Sequence, residues 1–246
     1  MSDKFLTTRD AARYLQASEA SIRRWADAGL LPAGRVGVRK ARRFREADLT
    51  QFIGRRDRDE PRSMTGAPTV TLHGRAVSVS SHLAGFYGTD TGRLRQGLPL
   101  LLDGLASDQP CLLFATTEIQ EKYARALREQ KVEVRSAVKN GRFRTITPAR
   151  DTPEAWIAKL ETMLTDIARR RSGPVRFVAE VTAGLKSTGS RTALLHQEQL
   201  LTTLVKGFPV VLLCLYDVRE FDGPLILEAL KLHYETFDYG FAYFLS

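Results

Sequence analysis

The sequence contains few of the side chains that form disulfides and metal centres. Two cysteines and four histidines occur among its 246 residues. Cys111 and Cys214 each lie inside an apolar run, where a reduced thiol packs as a small hydrophobic side chain. The histidines are scattered along the chain, at His73, His82, His196 and His233. We therefore expect no disulfide, no metal site and no bound cofactor.

The sequence also lacks the long apolar segments that membrane proteins and exported proteins carry. It has no run of about 18 apolar residues, the length at which a segment becomes a candidate membrane span. The opening residues, MSDKFLTTRD, do not contain the apolar stretch of a signal peptide. We therefore expect a cytoplasmic protein with no membrane partner.

Phosphate-binding and nucleophile motifs are missing as well. The closest approaches to the G-x-x-x-x-G-K-[ST] loop, GTDTGRL at 88–94 and AGLKSTGSR at 183–191, fail its spacing and are typical of turns. No G-x-S-x-G motif is present. The sequence therefore predicts a protein that is not an enzyme. The alternative is a nucleotide-hydrolysing protein with a basic targeting arm, in which Glu180 and Asp217 hold magnesium.

Positive charge is concentrated near the N-terminus. Residues 1–64 carry 15 basic and 9 acidic side chains, whereas the remaining 182 residues carry 22 and 19. Such an excess favours a phosphate-binding surface, although a basic patch alone could equally serve an acidic protein or a membrane. The stretch GRRDRDEPRSMTGAPT is charged, contains Pro and Gly, and lacks apolar periodicity. We predict a DNA-binding domain over 1–56, a linker over 57–72 and a second domain over 73–246.

The basic segment has the pattern of two short helices joined by a turn. Thr7 or Thr8 can cap a first helix, RDAARYL. Ser18 can cap a second helix over 19–28, and Gly29 is suited to end it. On that second helix, Ile22 and Trp25 are expected to face inward together with Leu30. The following RVGVRKARRF predicts a basic two-stranded wing, and EADLTQFI predicts a third helix.

These segments, TTRDAARYL, SEASIRRWADAGLLP and RRFREADLTQFI, resemble the winged helix-turn-helix of MerR-type and excisionase-type regulators. The resemblance implies that the second helix contacts the major groove of double-stranded DNA and that the wing contacts the backbone or minor groove. The DNA-binding residues it implies are Ser18, Ser21, Arg23, Arg24, Arg39, Lys40, Arg42 and Arg43. A basic helix pair that mediates protein contacts is the alternative.

Beyond the linker, apolar strand-like runs alternate with helix-like segments. The predicted strands are AVSVSSHLAGFY, PCLLFA, KVEVR, VRFVAEV, FPVVLLCLY and an edge strand DYGFAYFL. The predicted helices span 89–105, 118–130, 153–171, 192–206 and 224–234, and VTAGLKSTGS reads as a flexible loop. This alternation predicts an α/β fold in which helices cover both faces of a mainly parallel sheet, giving three layers.

The segment from about 80 to 240 resembles the MEDS sensory domain of methanogen and methylotroph regulators, a family that includes a dichloromethane-responsive repressor. The resemblance rests on HLAGFYG, RFVAEV and VVLLCLYDVREFDGPLILEALKLHYE. It implies a relative of the RecA-like ATPases of the circadian-clock type that has lost its phosphate loop. The chain departs from the family pattern in having Tyr234 after His233 instead of proline, and in lacking a tryptophan shortly after Glu180.

A ligand crevice is expected at the carboxyl ends of the central strands, where open α/β sheets bind small molecules. A carboxylate on a buried strand is costly without a partner, and Arg219 or His82 is expected to pair with Glu180. The predicted ligand-binding residues are His82, Phe86, Tyr87, Glu180, Tyr216, Asp217 and Arg219.

Together these features predict a transcription regulator that binds DNA through its N-terminal domain. Small helix-turn-helix units usually bind two-fold sites, so we expect a homodimer. The α/β domain is expected to sense a small-molecule effector or a protein partner and to modulate operator binding. A protein-interaction adaptor is the remaining alternative.

Overall fold

The computed structural model describes residues 5–15, 19, 22–23, 26, 31–36, 41–49 and 68–246, and for Val36, Asp238 and Phe241 it describes the backbone alone. The chain divides into an N-terminal unit, Met1–Glu60, and a C-terminal unit, Pro61–Ser246.

The first helix, α1 (Thr8–Tyr14), begins where the sequence supplies a cap. Thr7 Oγ1 accepts a hydrogen bond from the backbone nitrogen of Asp10 at 3.2 Å, and the Asp10 carboxylate accepts one from the Thr7 nitrogen at 3.3 Å. This capping box satisfies two backbone donors that the helix itself cannot pair. Thr7, and not Thr8, is therefore the cap. Further along this unit, the described helical residues are Glu19, Ile22, Arg23, Ala26 and 46–49.

The predicted basic wing is confirmed, and it belongs to a three-stranded antiparallel sheet. Strands β2 (Gly34–Val36) and β3 (Ala41–Arg45) pair with Arg35 opposite Arg42. A strand that the sequence did not predict, β1 (Phe5–Leu6), pairs with the other edge of β3. The buried side chains of this unit are Ala11, Ala12, Ile22, Leu31, Phe44 and Leu49. The predicted inward positions Trp25 and Leu30 lie outside the described residues.

A five-stranded parallel sheet forms the centre of the C-terminal unit, as the sequence predicts. Its strands are β6 (Ser81–Tyr87), β7 (Cys111–Phe114), β8 (Phe143–Ile146), β9 (Val175–Glu180) and β10 (Val210–Asp217). In space they lie in the order β6-β10-β9-β7-β8. Every residue of β6, β7, β9 and β10 is buried, because helices cover both faces of the sheet.

Two apolar cores, one on each face of the sheet, make the unit a three-layer α/β fold. One core contains side chains from α2 (Asp90–Ala106), α3 (Thr117–Glu129) and α4 (Val134–Lys139). The other contains side chains from α5 (Pro153–Arg170), α6 (Val181–Thr188), α7 (Arg191–Lys206) and α8 (Gly223–Leu232). Two 3-10 helices, Tyr234–Tyr239 and Phe241–Phe244, follow α8. Within the described ranges, no helix is both long enough and apolar enough to cross a bilayer.

Three local predictions are wrong. The run KVEVR is not a strand, because Val134 and the buried Ala137 are three residues apart and lie in helix α4; the strand is β8, further along the chain. The segment VTAGLKSTGS is not a loop, since Val181, Gly184 and Ser187 recur at helical spacing on the buried side of α6. The run DYGFAYFL is interrupted by Gly240 at φ +80° and forms 3-10 turns, so only Leu245 bridges β6.

The predicted linker, residues 57–72, extends too far toward the C-terminal unit. Thr69–Leu72 forms strand β4, which pairs antiparallel with β5 (Arg75–Ser78). Val70 and Leu72 alternate with exposed threonines and bury their side chains in the core beneath α2. Period-two burial therefore places the last four residues of this stretch in the folded unit.

Close packing between α2 and the sheet makes Gly97 intolerant of a side chain. A Cβ atom at Gly97 would lie 2.3 Å from the Tyr123 hydroxyl oxygen and 3.0 Å from Leu215 Cδ1. Overpacking outweighs the helix propensity gained, so we expect Gly97→Ala to lower the free energy of unfolding by about 1–2 kcal/mol. Urea unfolding of the full chain measures this change. Gly223→Ala, whose Cβ meets nothing within 4 Å, is the control. Equal losses in the two variants would contradict the prediction.

Candidate functional site

Arg23 presents its side chain on the outside of the N-terminal unit. Its neighbour Ile22 is fully buried, whereas the Arg23 side chain is 55% exposed. Arg23 Nη2 donates a hydrogen bond to Glu19 Oε2 at 2.9 Å, and Arg9 Nε lies 3.5 Å from Glu19 Oε1. A cationic group that pairs with one surface carboxylate can exchange it for a phosphate at little cost. The Arg23 side chain is therefore accessible to a binding partner.

The pairing of β2 with β3 brings several arginines of the wing close together. Arg42 and Arg43 are half-buried on β3, and Arg43 Nη1 donates to the backbone oxygen of Arg42 at 3.0 Å. Arg35, which the sequence analysis did not assign to DNA binding, lies directly opposite Arg42. Like charges opposite one another destabilise a strand pair, and a polyanion relieves that repulsion. The remaining residues assigned to DNA, Ser18, Ser21, Arg24, Arg39 and Lys40, lie outside the described residues.

The sheet separates the predicted ligand-binding residues into two groups, because side chains alternate between its faces. Tyr87, Glu180 and Asp217 face the α2 side at the carboxyl ends of β6, β9 and β10. With Arg93, Tyr123 and Arg219 they form what we call the carboxylate network. On the α7 side, His82 joins Glu198, Cys214 and His233 in what we call the histidine cluster. The prediction that all seven residues line a single crevice is therefore wrong.

Glu180 is the centre of the carboxylate network. Its side chain is buried, Tyr87 Oη donates to Oε2 at 2.7 Å, and Tyr123 Oη donates to Oε1 at 3.1 Å. The expected partners, Arg219 and His82, do not contact it; Arg93 does, with Nε 3.5 Å from Oε2. Burial raises the pKa of Glu180 to about 7, although Arg93 and the two hydroxyls oppose the shift.

Arg93 links Glu180 to a more exposed group of charges. Its Nη2 lies 3.5 Å from Asp217 Oδ2, and its Nη1 donates to Asp90 Oδ1 at 2.8 Å. Arg219 donates to both Asp217 oxygens, at 2.8 and 2.6 Å. Burial raises the pKa of Asp217, but these hydrogen bonds outweigh it and lower the pKa overall. Arg219 is about half exposed, so an incoming polar ligand can reach this end of the network.

Phe86 and Tyr216 lie on the opposite face from Glu180. Their rings stack with centroids 5.3 Å apart, and Tyr216 also meets the rings of Phe221 and His233, each at 5.7 Å. Both residues are buried in the apolar core beneath α7 and α8. They therefore form an aromatic wall against the histidine cluster and do not line the carboxylate network.

The histidine cluster brings together side chains that are far apart in the chain. His82 Nε2 and His233 Nε2 are 2.9 Å apart although the residues are separated by 151 positions. Glu198 Oε2 lies 3.4 Å from the first nitrogen and 3.2 Å from the second, and Cys214 Sγ lies 3.2 Å from His82 Nε2. Burial and the neighbouring His233 lower the pKa of His82 to about 4. The premise that the histidines are too scattered to form a cluster does not hold.

The connection between β6 and α2 leaves little space for a phosphate. A phosphate loop joins a strand to the following helix, but here the connection is Gly88 and Thr89 alone. Thr89 caps α2 by accepting from the Gly92 nitrogen at 2.9 Å, and Gly88 donates its backbone N–H to Ser246 O at 2.8 Å. The turn is therefore occupied by contacts within the chain.

An apolar groove of about 240 Å³ lies at the other edge of the sheet, where the strands begin. Its lining includes Leu164, Ile167, Val175, Phe208 and Pro209. The sequence analysis assigned no function to this edge. A smaller cavity, of about 10 Å³, has a lining that includes Glu180 and Glu198.

Two family matches correspond to these two units. The family described as helix-turn-helix domain matches residues 5–57. The family described as the methanogen/methylotroph, DcmR sensory domain (MEDS) matches residues 81–234. A helix-turn-helix followed by a sensory domain defines a DNA-binding transcription regulator and not an enzyme. The narrower MerR-type or excisionase-type assignment stays a prediction, since the match is to helix-turn-helix domains in general.

One relative aligns with nearly the whole chain. The chain is 34% identical to the transcriptional repressor DcmR of Methylorubrum extorquens over 247 aligned positions, which cover 96% of this chain and 92% of the repressor. The chain therefore belongs to the MEDS family of regulators. It also matches a KaiC-like protein of Pyrococcus horikoshii with a TM-score of 0.50 and 10% identity, covering 62% of this chain and 71% of that one. This likeness supports the predicted RecA-like fold and nothing beyond the fold.

Proposed function

We propose that this chain is a transcriptional repressor that binds operator DNA as a homodimer in the cytoplasm and releases it when an effector binds the C-terminal unit. The observation that carries the proposal is the alignment with a repressor through both the DNA-binding unit and the sensory unit. A regulator that holds both units in one chain needs no second protein to couple sensing to DNA binding.

In this proposal, different arginines of the N-terminal unit contact different parts of the DNA. Arg23 contacts a base edge or phosphate in the major groove, whereas Arg42 and Arg43, with Arg35, contact the backbone beside it. The exposure of Arg23 and the register of the wing support these roles. The sequence assigns Ser18, Ser21, Arg24, Arg39 and Lys40 to the same surface.

The effector site that we propose is the exposed end of the carboxylate network. Arg219 and Asp217 form a charge-assisted pair there, and Arg93 connects that pair to Glu180. A small polar molecule that binds Arg219 or Asp217 would break the pair and rearrange the buried network. Release of DNA by the effector should therefore be lost in Arg219→Met. Operator retention during a small-molecule screen, compared between the wild type and this variant, tests the assignment.

Exposed apolar side chains support the proposed dimer. Leu227, Tyr234, Phe237, Tyr243 and Leu245 are each about half exposed, and all come from the last twenty residues of the chain. Apolar surface of this kind is typical of protein interfaces. We propose that a second copy of the chain covers it. Sedimentation of the wild type and of Leu227→Arg/Tyr234→Arg would reveal whether these side chains hold two copies together.

We expect Arg23→Ala to weaken operator binding about 5- to 150-fold, because a good base contact is worth about 1–3 kcal/mol. Recovery of bound genomic fragments identifies the operator, and titration of that fragment measures the affinity. Arg169→Ala, which removes an exposed arginine from α5, is the matched control and should bind like the wild type. A footprint with two half-sites one helical turn apart is expected for a dimer.

Two outcomes would overturn the DNA-binding proposal. One is diffuse, salt-sensitive binding with no discrete fragment enriched. The other is equal affinity of Arg23→Ala and Arg169→Ala for the best fragment, which would show that the surface around Arg23 does not contact DNA.

A further inference from the structure

The acceptors beside the outer nitrogens of the two rings in the histidine cluster indicate where the imidazole hydrogens lie. His233 Nδ1 lies 2.8 Å from the carbonyl oxygen of Ala229, which can only accept, so this nitrogen carries the hydrogen. Thr202 Oγ1 donates to the Glu198 carbonyl oxygen at 3.0 Å, so it accepts from His82 Nδ1 at 2.9 Å. In each neutral ring, Nε2 is therefore the nitrogen with a free lone pair.

Four electron-pair donors consequently point at one small volume. The two Nε2 atoms are 2.9 Å apart, and the neighbours of the buried Glu198 Oε2 are these same two nitrogens, His233 at 3.2 Å and His82 at 3.4 Å. Cys214 Sγ completes the group, and one atom from each of the four side chains lies within 4.8 Å of the others. The single thiol hydrogen of Cys214 cannot satisfy the other three acceptors, the two Nε2 atoms and Glu198 Oε2. Converging lone pairs repel one another in the protein interior, and a bound cation between them would remove that repulsion.

We infer that His82, Glu198, Cys214 and His233 bind a divalent transition-metal ion of the zinc class. Two imidazole nitrogens, a thiolate and a carboxylate oxygen are donors that Zn²⁺ takes in tetrahedral sites. Binding replaces the thiol hydrogen of Cys214 with a sulfur–metal bond and releases one proton to solvent. The thiolate and the carboxylate then neutralise the two positive charges of the ion, so the buried site carries no net charge.

The distances fit one ion. With zinc–nitrogen bonds of about 2.0–2.1 Å, the edges of a tetrahedron measure about 3.3 Å. The separations of 2.9, 3.2 and 3.4 Å among the two nitrogens and Glu198 Oε2 bracket that value. Movements of a few tenths of an ångström would therefore place all of these atoms at bonding distance.

Groups outside the four ligands already orient the rings. Thr202 and the carbonyl of Ala229 accept from the outer nitrogens of His82 and His233, as the second layer of a metal site usually does. Glu235 accepts from the backbone nitrogen of His82 at 3.1 Å. The ligands come from β6, α7, β10 and the residue after α8, so the ion would join the sheet to two helices and the C-terminal segment. Four protein ligands and full burial are typical of a closed structural or regulatory site.

Metal analysis of the full-length protein tests the inference. We expect about one zinc per chain after purification and dialysis, removable by a strong chelator. Co²⁺ added to the chelated protein should give tetrahedral visible bands and a thiolate charge-transfer band. Cys214→Ser should lose the charge-transfer band, and His233→Ala should weaken binding more than about 100-fold. The controls Cys111→Ser and His196→Ala alter a buried cysteine and an exposed histidine outside the cluster, and both should bind like the wild type.

A measurement on the wild type keeps the test valid if a variant fails to fold. In partial denaturant, added Zn²⁺ should slow alkylation of Cys214 more than alkylation of Cys111, as read by mass spectrometry of the peptides. The inference is overturned if the chelated wild type gives no cobalt bands, or if zinc protects both thiols equally. Neither readout involves DNA or an effector, so failure here would leave the proposed repressor function intact.

Discussion

Replacing Arg93 with methionine is expected to destabilise the C-terminal unit by about 1–3 kcal/mol, because Glu180, Asp217 and the Tyr87 hydroxyl each lose a buried cationic partner. The Arg93 side chain is 8% exposed and lies within 3.5 Å of both Glu180 and Asp217. Methionine keeps much of the side-chain volume, so the loss reports charge more than packing. Unfolding in urea is monitored through hydrogen exchange of peptides from β9 and β10. These peptides report the stability of the C-terminal unit separately.

Arg95→Met is the matched control for this prediction. Arg95 lies two residues further along α2 and is exposed, so the same substitution there should change stability by no more than about 0.5 kcal/mol. The double variant Arg93→Met/Glu180→Gln removes a buried charge together with its partner. We expect it to recover part of the loss, since neighbouring groups are not additive. Similar effects of Arg93→Met and Arg95→Met would show that Arg93 does not compensate the carboxylates.

The position of Arg93 illustrates which parts of this protein its sequence predicts. The apolar runs around Cys111 and Cys214 indicate buried strands by composition alone, and the structure has β7 and β10 there. Arg93 is part of a polar segment, GTDTGRL, which is typical of a surface turn. It is buried only because α2 begins beside the ends of β6 and β9, a contact that no local pattern encodes.

The histidine cluster was missed for a different reason. Chain spacing reveals a metal or catalytic cluster only where the ligands are close in sequence, and here His82 and His233 are separated by 151 positions. Period-two alternation along β6 and β10 does predict that His82 and Cys214 share a face. Glu198 is one acidic residue within an amphipathic helix, so its burial depends on how α7 packs on the sheet. Three-dimensional packing, and not composition, therefore determines this site.

Glu180→Gln is expected to change how stability depends on pH. The pKa of Glu180 is about 7 in the folded chain, against an ordinary value of 4.5. Below the lower value the side chain is protonated in both states and has no effect on the pH dependence. As pH rises toward 7, the unfolded chain loses this proton while the folded chain keeps it, so wild-type stability falls. Above about pH 7 the penalty is constant, on the order of 3 kcal/mol.

The variant has no carboxylate to ionise at this position, so its stability relative to the wild type should rise between pH 4.5 and 7 and then level off. Hydrogen exchange of β9 peptides in urea at several pH values measures the difference. Glu161→Gln, the same change at an exposed position on α5, provides the correction for the altered net charge. A difference between Glu180→Gln and the wild type that stays constant across this range would show that Glu180 is ionised throughout. The network would then hold a permanent carboxylate, stabilised by Arg93 and by the hydroxyls of Tyr87 and Tyr123.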